Sequence, residues 1–344
     1  MKLNRRSALG LGTVAAATAA VGIGTAQANA AQSPQVTAEP ATQDPVRKVA
    51  RVYAREVAKA QGVWSSLVTV GGATAVEEGA DDTVEAFSVN KLGVATAVLD
   101  KIDRGLLTLD QRVELTADIV IQDIDGIFAL DRAYPSSLTL GNVMANLLTL
   151  SDNTAVRLCG LVCPALELNE ILRDKGFVVT QVVPVTNPNR FFLGLTTPRE
   201  THTLLSKLVA GELLSPASTD YLLNVIRSTS AFTDGIRLDM RTEERLRVAT
   251  KAGWFDDGGR NEAGIVFAPD GTPGAIYSLF ASGPYAGDAE VTNVDFGATH
   301  PAIRARQAIG RTLMDAVDAA ATAPQAKAAG KKYPAPAIRV TNGG

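Results

Sequence analysis

Apolar residues recur at helical spacing near both ends of the chain. Asp44 and Pro45 form a favourable cap and first turn, and apolar residues follow at Val46, Val49, Tyr53, Val57 and Ala60. A second run of this kind follows His300 and Pro301, with apolar residues at Ile309, Leu313, Val317 and Ala320. We therefore predict one helix over residues 45–61 and another that begins near residue 300.

Short runs with the composition of β-strands lie beside each of these helices. Residues 64–70 follow the first helix, and residues 247–253, 262–268 and 275–282 precede the last one, with Gly, Asp and Pro between the runs. From residue 88 to about 215 the apolar spacing is mostly helical. This order predicts one antiparallel sheet built from both ends of the chain, with an all-α lobe inserted at about 88–215.

A serine and a lysine three residues apart open an apolar helical run at the start of this lobe. Positions i and i+3 of a helix lie on one face, so the Ser88 hydroxyl and the Lys91 amine can come within hydrogen-bond reach. A lysine surrounded by Val, Leu and Ala side chains can accept the hydroxyl proton and so activate the serine as a nucleophile. For the isolated pair, the alternative is a capping serine followed by a solvated lysine.

Two further motifs follow in the same order as in a known enzyme superfamily. They are Ser151-Asp152-Asn153 and Lys251-Ala252-Gly253, which taken alone predict a capping turn and a solvated lysine at a strand end. Together with Ser88 to Lys91 they match the S-x-x-K, S-D-N and K-T-G elements of class A β-lactamases and penicillin-binding proteins. From about residue 44 to 321 the chain therefore resembles a class A β-lactamase-like serine hydrolase.

The resemblance implies a fold and a catalytic set. The fold is α/β, a β-lactamase/transpeptidase-like α-β-α sandwich with an antiparallel sheet of about five strands and the inserted all-α lobe. Ser88 would be the nucleophile and Lys91 the general base for acylation. Ser151 and Lys251 would relay a proton to the leaving nitrogen of the substrate.

The resemblance also implies how a substrate would be held. Asn153 would bind the amide on the acyl side of the substrate, and Lys251 a substrate carboxylate. Gly253 and Trp254 would line the cleft, and the backbone N–H groups of Trp254 and Ser88 would form an oxyanion hole.

The chain departs from the family pattern at two places. Class A β-lactamases carry a glutamate in the Ω-loop that activates the deacylating water, but residues 181–193, ahead of Thr196-Thr197-Pro198, contain no acidic residue. Leu166 to Glu170 follows Ser151 too soon to replace it, and predicts an amphipathic helix instead. Ala252 stands where the family usually has a hydroxyl that helps to hold the carboxylate of a β-lactam.

Three functions therefore stay open. The first is a secreted serine hydrolase that acts through an acyl-enzyme on a β-lactam or a related amide or ester. The second is a D,D-carboxypeptidase-like penicillin-binding enzyme, which needs no Ω-loop glutamate. The third is a non-catalytic binder of a β-lactam or a peptidoglycan-like cell-wall fragment, although such a binder has no need of the full catalytic set.

The N-terminal residues have the features of an export signal. Arg5-Arg6 is followed by a mildly apolar Gly/Ala-rich run and by Ala28-Asn29-Ala30, which predicts a twin-arginine signal peptide over residues 1–30. We expect a flexible leader at 31–43 and a disordered tail at 322–344. No other stretch approaches transmembrane length, so the mature protein is predicted to be secreted or periplasmic.

Charge and composition narrow the range of partners. The 344-residue chain has a formal net charge of −3, which becomes −6 when the three basic residues of the signal are removed, and this argues against nucleic acid. His202 and His300 lack metal-ligand spacing, so we predict neither a metal nor a cofactor. Cys159 and Cys163 lie one helical turn apart, which favours two buried thiols over a disulfide.

Overall fold

The structure is a computed structural model that describes residues 44–122, 126–231, 234–322 and 330–337. The predicted signal peptide and flexible leader lie outside these residues, and both stay predictions. No helix among the described residues combines the length and the apolar character that a membrane crossing requires.

The described residues form eleven α-helices and ten β-strands. The helices are α1 (Pro45–Ala60), α2 (Lys91–Asp103), α3 (Phe128–Asp131), α4 (Leu140–Thr149), α5 (Asn153–Val162), α6 (Ala165–Asp174), α7 (Pro198–Ala210), α8 (Pro216–Arg227), α9 (Thr242–Arg245), α10 (Ala289–Thr292) and α11 (Pro301–Thr322). The strands are β1 (Gln61–Val70), β2 (Ala73–Glu78), β3 (Val84–Glu85), β4 (Arg112–Leu115), β5 (Ser136–Thr139), β6 (Gln181–Pro184), β7 (Phe191–Thr196), β8 (Val248–Trp254), β9 (Arg260–Phe267) and β10 (Pro273–Tyr285). A 3₁₀ turn covers Phe87–Asn90.

The central sheet has five antiparallel strands in the order β2-β1-β10-β9-β8. The strands come from both ends of the chain, and Val68 of β1 pairs with Tyr277 of β10, so the predicted sheet is confirmed. Strand β8 lies at one edge. The edge strand therefore carries backbone groups on one side that no further strand of this sheet pairs with.

Helices cover both faces of the sheet. On one face, Val49 and Tyr53 of α1 pack with Leu313 and Val317 of α11 over the sheet residue Tyr277. On the other face, sheet residues such as Ala263, Ile265 and Phe280 pack against the helical lobe. This is the predicted α-β-α arrangement, and the apolar helix α2 lies buried within the lobe.

The inserted lobe is mostly helical, but it is not all α as predicted. Strands β4 and β5 pair with each other, and the hairpin of β6 and β7 pairs with β3. Val84 of β3 lies opposite Thr196 of β7, although the two residues are far apart in the chain. Such short strands depend on long-range pairing, which the apolar period of a single segment does not reveal.

Part of the C-terminal tail is packed against the domain. Tyr333 is buried, its N–H donates to the Gly271 carbonyl over 2.8 Å, and its hydroxyl donates to the Val209 carbonyl over 3.0 Å. The Arg227 guanidinium donates to the Tyr333 carbonyl over 2.9 Å, and the Phe267 ring lies edge-on to the tyrosine ring. Residues 330–337 thus differ from the predicted disordered tail, because one aromatic side chain anchors a segment whose composition is otherwise polar and small.

Replacement of this anchor should measurably destabilise the fold. We expect Tyr333→Ala to lower the free energy of unfolding by about 3 kcal/mol, because it leaves a cavity beside Phe267. Tyr333→Phe keeps the ring, loses one hydrogen bond and should cost about 1 kcal/mol. Urea unfolding of the three proteins measures both values, and equal midpoints for the wild type and Tyr333→Ala would contradict the packing of this segment.

Candidate active site

Ser88 lies on the 3₁₀ turn that joins β3 to α2. The turn is entered through Phe87, whose backbone is left-handed with φ +47°. It is held from two sides: the Asn261 amide donates to the Glu85 carbonyl over 2.9 Å, and the Asn90 amide donates to the Leu193 and Leu195 carbonyls over 2.7 and 3.0 Å. Strands β9 and β7 therefore fix the turn, and Ser88 itself is half-buried.

Lys91 begins α2 and is fully buried. Its Nζ atom donates to the Asn153 side-chain oxygen over 2.8 Å, to the Ser151 hydroxyl over 3.1 Å, and to the Ser151 carbonyl. The first and second sequence motifs thus meet through this one amine, at the base of the turn that carries Ser88.

Ser151 stands between two lysines. Its hydroxyl oxygen accepts from Lys91 over 3.1 Å and from Lys251 over 3.0 Å, which leaves the hydroxyl proton available to another acceptor. The residue is buried and has a left-handed backbone with φ +59°, which is uncommon for a residue other than glycine. A sparsely populated backbone conformation of this kind is often found at a functional site.

Asp152, the middle residue of the second motif, has a structural role. Its carboxylate caps α5 by accepting from the Ala155 N–H over 3.1 Å. It also accepts from the N–H groups of Ile127 and Phe128 over 2.8 and 3.0 Å. The capping position is visible in the sequence, but the contact with residues 127 and 128 depends on the fold.

Lys251 lies on the edge strand β8 and is fully buried. Its ammonium donates to the Ser151 hydroxyl over 3.0 Å and to the Ala252 carbonyl over 2.6 Å. The third motif therefore meets the other two at the Ser151 side chain.

Gly253 allows β8 to approach the nucleophile turn closely. A Cβ atom at this position would lie 2.8 Å from the backbone nitrogens of both Ser88 and Val89. Across the hairpin, the Phe255 N–H donates to the Gly259 carbonyl over 3.1 Å. Because successive N–H groups of a strand point to opposite sides, the Trp254 N–H points away from β9. Gly253 thus brings β8 next to the Ser88 backbone nitrogen, and Trp254, whose N–H is the second expected oxyanion donor, is the next residue of the strand.

The Trp254 side chain forms an aromatic wall at the end of β8. Its ring packs on Phe296 with ring centroids 4.2 Å apart, and the Arg260 guanidinium lies 4.6 Å from the centre of the Phe296 ring. Arg260 is fully buried and donates to backbone carbonyls, including that of Phe255 over 2.7 Å. The cation–π contact between Arg260 and Phe296 therefore holds the ring on which Trp254 packs.

The segment expected to form the Ω-loop contains a β-hairpin instead. Strands β6 and β7 fall within residues 181–196, and residues 181–193 contain no carboxylate. Glu167 lies in α6, as the amphipathic pattern predicts, and pairs with Lys101 over 2.7 Å. This glutamate is engaged in an ion pair that holds α6 to α2.

The histidines and cysteines have packing roles. Burial lowers the pKa of His202 and of His300 to about 4, and His300 accepts from the Ala302 N–H over 3.1 Å at the start of α11. Both cysteines are buried and free, and burial raises the pKa of the Cys163 thiol to about 12. Among the described residues no group of three His, Cys, Asp or Glu side chains is placed to hold a metal ion.

Comparison with known proteins agrees with this arrangement. A sequence model described as the beta-lactamase enzyme family matches residues 45–317. A β-lactamase from Chitinophaga pinensis superposes with a TM-score of 0.67 at 22% identity, over 78% of this chain and 99% of that one. A β-lactamase from Xanthomonas campestris pv. campestris gives 0.66 at 19%, over 80% and 99% of the two chains. An ancestral class A β-lactamase gives 0.64 at 21%, over 78% and 99%.

The close approach at Gly253 can be tested by adding one methyl group. We expect Gly253→Ala to lower the free energy of unfolding by about 1–3 kcal/mol, because its Cβ would press on the backbone of the nucleophile turn. Gly93→Ala is the matched control, since its Cβ would lie 3.4 Å from the flexible Leu172 side chain, which is an ordinary contact. Chemical unfolding of both variants gives the comparison, and equal stability would show that the contact at Gly253 is not tight.

Proposed function

The chain belongs to the beta-lactamase enzyme family, and from this premise we propose that it is a serine hydrolase that opens a β-lactam, or a related amide or ester, through an acyl-enzyme on Ser88. The family and the fold support a β-lactamase-like hydrolase. The observation that carries the finer proposal is the Ser151 hydroxyl, which accepts hydrogen bonds from Lys91 and Lys251 beside the nucleophile turn.

Acylation begins at the turn. The Ser88 oxygen attacks the carbonyl carbon while its proton passes to the Lys91 side-chain nitrogen, which acts as the general base and must therefore be neutral at this step. The carbonyl oxygen becomes an oxyanion, and the N–H groups of Ser88 and Trp254 stabilise its charge. Their fixed positions on the 3₁₀ turn and on β8 mean that little reorganisation is needed as the charge develops.

Departure of the leaving group involves Ser151. The carbon–nitrogen bond breaks, Ser151 donates its hydroxyl proton to the leaving nitrogen, and a neighbouring lysine returns a proton to the Ser151 oxygen. Asn153 holds the acyl-side amide of the substrate, and Gly253 with Trp254 lines the cleft. The acyl group is then an ester of Ser88.

Deacylation is the step that lacks a general base in the segment where the family carries one. Loss of a general base typically costs a factor of about 100 to 10,000 in rate, and no carboxylate lies within residues 181–193. We therefore propose that the acyl-enzyme is long-lived. This feature also favours the second candidate, a D,D-carboxypeptidase-like enzyme that binds penicillin covalently.

The substrate in either case is a small β-lactam or a peptidoglycan-like amide, and the place of action is outside the cytoplasm. Arg5-Arg6 and the cleavage site after Ala30 support export by the twin-arginine route. We expect a double Arg5→Lys, Arg6→Lys variant to stay inside the cell with its signal uncleaved. Mass determination of the protein from each cell fraction measures this, and normal export of the variant would refute the route.

The acyl-enzyme is tested by intact mass spectrometry with a penicillin. We expect the wild type to gain the mass of one penicillin and Ser88→Ala to gain none, since the ester oxygen is missing. Ser230→Ala, at an exposed serine outside the site, is the control and should behave like the wild type.

The lifetime of the adduct separates the candidate functions. An adduct that persists after excess penicillin is removed agrees with a missing deacylation base, and release of D-alanine from a D-Ala-D-Ala peptide would identify the peptidase. Rapid loss of the adduct with consumption of penicillin would identify an efficient β-lactamase with another source of activated water. Reversible binding with no adduct would leave only the non-catalytic binder, and an adduct on Ser88→Ala would refute the role of Ser88.

A further inference from the structure

Two phenylalanines stack at the edge of the candidate site. The rings of Phe87 and Phe255 are nearly parallel, with an interplanar angle of 11° and centroids 5.5 Å apart. Phe255 is 53% exposed, so burial in the core does not explain its position. The stack joins the 3₁₀ turn to the hairpin between β8 and β9.

Each ring belongs to a residue next to one of the two oxyanion donors. Phe87 directly precedes Ser88, and Phe255 directly follows Trp254. A contact between the two side chains therefore fixes the two neighbouring N–H groups relative to each other. These two groups lie on elements that are far apart in the chain.

The Phe87 backbone needs such a support. Its φ of +47° is a conformation that a bulky side chain rarely adopts and that persists only when its surroundings hold it. On the hairpin side the ring lies against Gly259, where a Cβ would come within 2.1 Å of it. The ring also borders a cavity of about 390 Å³ that is lined by Val63, Ser65 and Glu85 among others. The Phe87 ring thus has space to move if Phe255 does not hold it.

We propose that the Phe87–Phe255 stack is a clamp that sets the distance between the Ser88 and Trp254 N–H groups, and that Phe255 is its positioning residue. The inference rests on the proposed acyl-enzyme function. Phe255 does not touch the reacting atoms in this account. It acts through the backbone conformation of the residues beside it.

The expected loss of acylation rate can be estimated from what oxyanion-hole donors contribute in other enzymes. Removal of one oxyanion donor typically costs about 100- to 1,000-fold in rate, and a misplaced donor costs less than a missing one. We expect Phe255→Ala to slow the acylation step about tenfold and to leave the dissociation constant of the initial non-covalent complex unchanged. The initial complex forms before the oxyanion does, so it is insensitive to the spacing of the donors.

The experiment compares Phe255→Ala, Phe255→Tyr and Phe192→Ala with the wild type. Phe255→Tyr keeps a ring that can stack and should restore the wild-type rate. Phe192→Ala removes an aromatic side chain that is 70% exposed on β7 and not adjacent to either donor, so it should react like the wild type. Stopped-flow acylation by a fluorescent penicillin separates the rate constant from the dissociation constant.

A boronic acid provides the readout that a general loss of structure would not give. It forms a tetrahedral adduct with a nucleophilic serine and places an oxygen in the oxyanion hole. Its affinity should fall by the same factor as the acylation rate in Phe255→Ala, while the thermal midpoint changes no more than in Phe192→Ala.

The outcomes distinguish the clamp from the function on which it rests. If the wild type acylates and Phe255→Ala acylates at the same rate, the clamp alone is overturned. The same holds if Phe192→Ala slows acylation as much as Phe255→Ala does, or if Phe255→Tyr does not restore the wild-type rate. A wild type that neither acylates nor binds the boronic acid overturns both. If it binds the boronic acid but does not acylate, the proposed function fails for penicillins and the boronic acid affinities decide on the clamp.

Discussion

The Ser151 hydroxyl is the contact on which the site depends. It accepts from Lys91 at the start of α2 and from Lys251 on β8, so it joins the helical lobe to the sheet at the floor of the cleft. Both lysines are fully buried, and a buried polar side chain without hydrogen-bond partners would be destabilising. The same hydrogen bonds that stabilise the lobe interface therefore place the groups that we propose for proton transfer.

A second constraint is the short distance between β8 and the nucleophile turn. Gly253 permits it, because any side chain there would collide with the backbone of Ser88 and Val89. Asn261 ties the Glu85 carbonyl to the neighbouring strand, and the Phe87–Phe255 stack lies at the same junction. An oxyanion hole needs donors at fixed positions, and here several weak contacts supply that rigidity together.

The β6–β7 hairpin has opposite consequences for acylation and deacylation in the proposed reaction. It supports acylation, since the Leu193 and Leu195 carbonyls hold Asn90 and so the turn that carries Ser88. It offers no carboxylate within residues 181–193 to activate a water. The same segment thus holds the turn that carries Ser88 and offers no carboxylate within residues 181–193, and both features agree with the proposed long-lived adduct.

Local patterns in the sequence predicted four strands of the antiparallel sheet, the helices at both ends and the three motifs, because apolar periods and short polar signatures are local properties. The expectation of about five strands came from the family resemblance, and the fifth strand is β2. The sequence did not predict the β3–β7 pairing, the anchoring of Tyr333 or the second role of Asp152, since each joins residues distant in the chain. Only the folded structure shows that Lys91 and Lys251 both donate to the Ser151 hydroxyl and that Phe87 stacks on Phe255. The physical reason is that hydrogen bonds and ring contacts depend on distances in space, which chain order does not specify.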